Sequence, residues 1–201
     1  MAQSARLRGL KRLEMRGCRL TGDGVRKLGG SPHLASLEEL HLFSNRGGSA
    51  AAEAVAASAT FAHLRRLDLS NNEVTDGGVQ ALAGSAHVTR LRWLKLRANK
   101  LTGTSVASLA ASDGMRGLRY LELSYNGLTD DAAIALAGSP PLSGLATVIL
   151  DRNKVTQVGA QALASSQLAS HAKLDLRENP INAEGKAALQ ATFGRRVRLG
   201  T

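Results

Sequence analysis

Apolar residues return along this chain on a fixed beat. LKRLEMRGC begins at Leu10, LEELHLFSN at Leu37, LRRLDLSNN at Leu64, LRWLKLRAN at Leu91, LRYLELSYN at Leu118 and LATVILDRN at Leu145, each 27 residues after the last. A seventh copy, HAKLDLREN, follows at His171 after 26 residues. The spacing changes inside each copy. Alternation, as at Leu67 and Leu69, predicts a short strand, and later apolar positions such as Val79 and Leu82 are helix-spaced. One strand and one helix per copy, with no linker between copies, predict a single domain over residues 1–201 made of seven stacked repeats.

Two polar columns accompany the apolar ones. Thr21, Thr75, Thr102, Thr129 and Thr156 stand just ahead of the helical segments, where a hydroxyl can take a free helical N–H. Asp76 and Asp130 come one residue later, at the positive end of the helix. Asn45, Asn72, Asn99, Asn126, Asn153 and Asn179 follow the strands. An amide both donates and accepts, so it can tie the turn of its own coil to the next. Cys18 holds this column in the first copy, where such a ladder has no preceding neighbour, and is read as structural.

The unit L-x-x-L-x-L-x-x-N, then x-L-T and an A-L-A-x-S segment, resembles the leucine-rich repeat, in the ribonuclease-inhibitor-like subclass. The resemblance runs from residue 7 to 199, and the Ala- and Arg-rich wording that closes in QATFGRRVRL is similar to bacterial members. It implies an α/β fold: a right-handed α/β solenoid, or horseshoe, with a parallel sheet on the concave face and helices on the convex face. Element widths ask for the same curvature, because a helix is about 10 Å across and strands stack about 4.8 Å apart. Two copies depart from the pattern. After Asn45 the second has Arg46-Gly47-Gly48 in place of x-Leu-Thr, which predicts the loosest internal coil, and the seventh has His171 where leucine belongs, which predicts partial exposure there. Phe193 and the strand-like Arg195–Leu199 form a C-terminal cap within about residues 190–199. No counterpart precedes Leu10, which predicts attachment to another domain or an oligomer contact at that end.

Composition narrows the chemistry. Aromatic residues are only 3% of the chain, so the core is built from Leu, Ala and Val in thin layers. One cysteine excludes an intrachain disulfide, and no apolar run has the length of a signal peptide or membrane span; the expected compartment is the cytoplasm, with no membrane partner. The histidines do not combine with Cys or carboxylates at metal-ligand spacing, and no nucleophile elbow or phosphate-binding loop occurs. The glycines are read as turn residues. No enzyme activity, cofactor or metal is expected.

Recognition has more to work with. If the repeat leucines face the core, the third and fifth residues of each copy face the concavity, and the seventh and eighth line the adjoining turn. Of the six aromatics, Phe43, Trp93, Tyr120 and Tyr125 fall in these columns. With Arg66, Lys95 and Arg97 they make the candidate patch, since binding hot spots are rich in Trp, Tyr and Arg. The competing account is cross-strand packing that only steadies the sheet. The formal charge of +10 is not concentrated in the concavity, where carboxylates nearly match cations. It gathers instead on an edge column, Lys11, Arg65, Arg92 and Arg119, and at the two ends. The sequence therefore points to a scaffold that binds a protein partner on its concave face. Two alternatives stand beside it: regulation of a bound enzyme as an inhibitor or GTPase-activating-like protein, and nucleic-acid binding through the basic edge.

Overall fold

A computed structural model describes residues 4–200. Strands β1 (Arg12–Glu14), β2 (Glu39–His41), β3 (Arg66–Asp68), β4 (Trp93–Lys95), β5 (Tyr120–Glu122), β6 (Thr147–Ile149), β7 (Lys173–Asp175) and β8 (Val197–Arg198) form one parallel sheet in chain order. Helices α1 (Gly22–Gly29), α2 (Gly48–Ala56), α3 (Asp76–Ala83), α4 (Gly103–Ala110), α5 (Asp130–Ala137), α6 (Gln157–Ala164) and α7 (Ala183–Phe193) follow the first seven strands. This is the α/β solenoid of leucine-rich repeats, with the sheet inside the curve and the helices outside. Each of β1 to β5 pairs with the next at the repeat spacing, so Leu13, Leu40, Leu67, Leu94 and Leu121 lie side by side. All but the outermost, Leu13, are fully buried.

The eighth strand extends the seven that the repeats predict. Val197 pairs with Leu174 and Arg198 with Asp175, so the cap segment continues the ladder instead of folding over its end. Phe193 is buried beneath it. The Arg196 guanidinium donates to the carbonyls of Ala169 and Ala172, filling space near the missing leucine while His171 stays exposed.

The asparagine ladder runs the opposite way from expectation. Each amide ties its own coil to the preceding one. Asn99 Nδ2 donates to Leu96 O at 2.9 Å and to Leu69 O at 3.0 Å, and Oδ1 accepts from the amides of Asn72 and Val74. Cys18, in the first described coil, makes no such bridge among the described residues; its exposed thiol donates to Arg16 O. A second ladder lies at the other end of the coil, where Ser58, Ser85 and Ser139 donate to Gly29, Ala56 and Ala110 carbonyls in the helix of the preceding coil.

The threonine column is also corrected. Five threonines precede helices, but only Thr102 and Thr156 accept from a helical amide. Their hydroxyls in turn donate to Asp76 and Asp130, at 2.6 Å each, and these same carboxylates accept from the Thr102 and Thr156 amides. The two aspartates thus fasten one helix start to the next. Burial works against the ionised Asp76, yet hydrogen bonds from Ser105 and Thr102 outweigh it and hold the carboxyl below its ordinary pKa.

These clasps belong to a two-coil rhythm. Arg19, Glu73 and Gly127, one in each of the first, third and fifth coils, have positive φ. The equivalent residues of the following coils, Arg46, Lys100 and Lys154, instead donate their amides to Leu20, Val74 and Leu128 O. Joints from odd to even coils therefore share this left-handed residue, accompanied by an aspartate clasp at the third-to-fourth and fifth-to-sixth joints, and differ from those between even and odd.

Glycines do more than turn the chain. Several open helices, where a Cβ would collide with the neighbouring coil: at Gly22 it would lie 2.4 Å from Ala50 Cβ, and at Gly159 2.6 Å from Asp130 Oδ1. That close approach also bears on the second coil. Without its leucine and threonine, α2 starts one position early and buries Ala51, Ala52 and Val55 against both neighbours, a close fit rather than a slack one.

Candidate interaction face

The strands leave their third and fifth side chains on the concave face, which brings Trp93 of β4 and Tyr120 of β5 together as cross-strand partners. Their rings stack with centroids 5.2 Å apart and planes inclined by 19°. Trp93 also leans back over β3 to meet His41 of β2, at 5.8 Å and 59°. Lys95 Nζ sits 4.8 Å from the Trp93 ring and 2.9 Å from Glu122, and the Tyr120 hydroxyl donates to Glu122 at 3.0 Å. Burial, reinforced by the Glu122 charge, pushes the Tyr120 phenol well above its usual range, so it remains a donor throughout physiological pH. Both rings are intermediate in exposure, so part of each stays accessible on the concave face although its neighbours cover most of it.

The seven predicted residues do not all converge. Trp93, Lys95 and Tyr120 form the centre. Arg66 turns away toward Glu39, at 3.5 Å. In the turns beyond the strands, Arg97 and Arg152 flank the Tyr125 ring at 4.6 and 4.7 Å, whereas Phe43 carries Arg16 at 4.4 Å. Those turns share one backbone feature: Ser44, Asn71, Ala98, Tyr125, Arg152 and Glu178 all have φ between 53° and 57°. Glycine meets that demand at Gly17 without strain, and a side chain there costs roughly 1 kcal/mol. Tyr125 and Arg152 are held in it nonetheless, with Tyr125 37% exposed.

His41 and Glu122 belong to the centre and were missing from the sequence-based patch. Their signal was present, since both occupy the fifth column. That column alternates by coil: Glu14, Asp68, Glu122 and Asp175 in odd coils, His41, Lys95 and Ile149 in even ones. The edge column is partly spent on structure. Lys11 and Arg65 share Glu38, Arg92 donates to Gly117 O, and Arg119 donates to the carbonyls of Arg116 and Leu118. Among the described residues, no three His, Cys, Asp or Glu side chains cluster to hold a metal, and no helix is long and apolar enough to cross a membrane.

The leucine rich repeat family model matches residues 8–29, 62–83 and 116–137, which are the first, third and fifth coils. With the fold, these matches make the chain a leucine-rich repeat protein. Among solved structures it is similar to an internalin from Listeria monocytogenes, with a TM-score of 0.55 and 18% identity over 96% of this chain and 61% of that one. It is also similar to the Arabidopsis receptor kinase HAESA, solved with the peptide hormone IDA and the co-receptor SERK1, with a TM-score of 0.53 and 18% identity over 96% of this chain and 34% of that one. The chain thus spans less than two thirds of either. Comparison with curated protein sequences gives no match.

Proposed function

We propose that residues 1–201 form one leucine-rich repeat domain that holds a protein partner on its concave face, through Trp93 and Tyr120 with His41, Lys95 and Glu122 around them. The observation that carries this reading is the stacked, partly exposed Trp93–Tyr120 pair. Cross-strand packing accounts for the contact between the rings; the part of each that stays accessible lies beside a cation and a carboxylate that already satisfy one another. A partner that covers the rings gains apolar burial without stranding either charge. The peptide and co-receptor bound by the HAESA structure show what a protein of this fold can hold, and the internalin likeness adds only the fold.

The test is affinity capture with wild type and a Trp93→Ala/Tyr120→Ala variant at low and moderate salt. Loss of a hot-spot pair weakens binding by about 30-fold or more, whereas the folded chain loses only about 1 kcal/mol of ring-stacking stability. Equal capture by both proteins sinks the reading. Capture of nucleic acid that disappears as salt rises would move the function to the basic edge.

A further inference from the structure

At the C-terminal end of the concave face lies a cavity of about 350 Å³ between β6, β7 and the segment that leads into β8. Thr147 and Ile149 supply its neutral wall, and Lys173, Arg195 and Arg198 supply cations. Among the described residues, none of these three cations has a carboxylate within ion-pair distance. The one acidic group in the lining, Asp175, is already engaged. Arg177 holds it through Nε at 2.9 Å and Nη2 at 2.7 Å, and its side chain is only 9% exposed. Arg196, between the two free arginines, is spent on the carbonyls of Ala169, Ala172 and Thr192. That anchoring fixes the cap segment, and with it the positions of Arg195 and Arg198.

The balance elsewhere on this face makes the cavity distinctive. Lys95 is paired with Glu122, and Arg12 and Arg66 with Glu39. Among the described residues, only at β7 and β8 do the concave cations carried by the strands outnumber the carboxylates that could neutralise them, and there they surround a recess. The β8 strand also carries the alternating fifth column one step beyond the repeats, placing Arg198 beside Asp175.

We propose that this cavity is a carboxylate-binding subsite, and that the partner is an extended acidic segment whose Asp or Glu side chain enters it. The segment lies across the strands, with an apolar or aromatic side chain on Trp93 and Tyr120. This rests on the concave reading above and adds the partner's chemistry and register. From β5 to β7 is two strand steps, on the order of 10 Å, which an extended chain covers in about three residues at roughly 3.3 Å each. The acidic residue therefore stands three or four positions from the apolar one.

A phage-displayed library of random twelve-residue peptides, selected against wild type, Trp93→Ala and Lys173→Glu/Arg198→Glu proteins, tests both readings separately. The three substituted side chains are on the surface of the concavity, and circular dichroism with thermal melting verifies that each variant is folded. Wild type is expected to enrich peptides with Asp or Glu three or four residues from an aromatic or large apolar residue. The charge-reversed variant is expected to keep the apolar position, lose the acidic one, and bind the wild-type peptides at least about tenfold more weakly. The Trp93→Ala variant is expected to do the converse. Enrichment of the same acid-free peptides by wild type and the charge-reversed protein overturns the carboxylate subsite and leaves the aromatic patch standing. Absence of any enriched peptide on wild type overturns both.

Discussion

Asn99 donates to carbonyls of its own coil and of the coil before it, and accepts from two amides of that coil, so one side chain satisfies backbone groups that solvent reaches poorly. Replacing it by alanine strands those groups at once. Asn99→Ala is expected to lower stability by about 4 kcal/mol, taking each of the four net hydrogen bonds as roughly 1 kcal/mol, and urea unfolding measures the loss. Asp76 gives a pH-dependent counterpart. Its folded-state pKa is depressed, so the stabilisation is complete above the unfolded value, near about 3.9, and is lost as pH falls through the folded value. Wild type should therefore lose stability relative to Asp76→Asn on acidification below about pH 4, with the difference constant from there to neutrality. Unfolding midpoints of both proteins across that range decide it. The identity of these columns was legible from repetition alone, but their direction was not: whether an amide reaches forward or back depends on which coil presents free carbonyls, which only the stacked geometry defines.

Among the elements, strands were the most legible because Leu67 and Leu69 leave no choice of buried face, and a shift by one would expose both. Helix starts were less so. α2 opens one position early behind Gly47, where a Cβ would sit 2.5 Å from Ala51 Cβ, a close approach that no local pattern announces. The candidate face divides in the same way. Trp93 and Tyr120 fell together because strand register makes them partners, but Phe43 and Arg66 went elsewhere because side-chain direction in turns and ion-pair choice, here Arg66 with Glu39, are settled by neighbours a whole coil away. Tyr125 and Arg152 add an element-level argument for recognition. A left-handed turn that could have used glycine carries an exposed ring between two guanidiniums.

At the scale of the whole molecule, each coil is secured by its neighbours, so stability should follow position in the stack. Leu13 keeps 8% of its surface exposed while Leu40, Leu67, Leu94 and Leu121 keep none. Amide hydrogen exchange is expected to be fastest in β1 and β8, each with a partner on one side only among the described residues, and slowest in β3 to β5; uniform protection along the sheet would contradict a nearest-neighbour account. The same measurement reports on the second coil, whose closely packed alanines predict protection equal to that of its neighbours. One further consequence comes from the unlike joints. A stretch cut out or copied in by recombination must leave matching surfaces at the new seam. Excising a single odd coil, such as the third, would bring an even coil against another even coil, with neither the left-handed residue of the Glu73 position nor an aspartate clasp at the seam. Removing the third and fourth coils together would instead restore a junction of a kind the molecule already has. The heritable building block of this solenoid is thus a pair of coils, and libraries of shortened or lengthened variants should be drawn up in pairs.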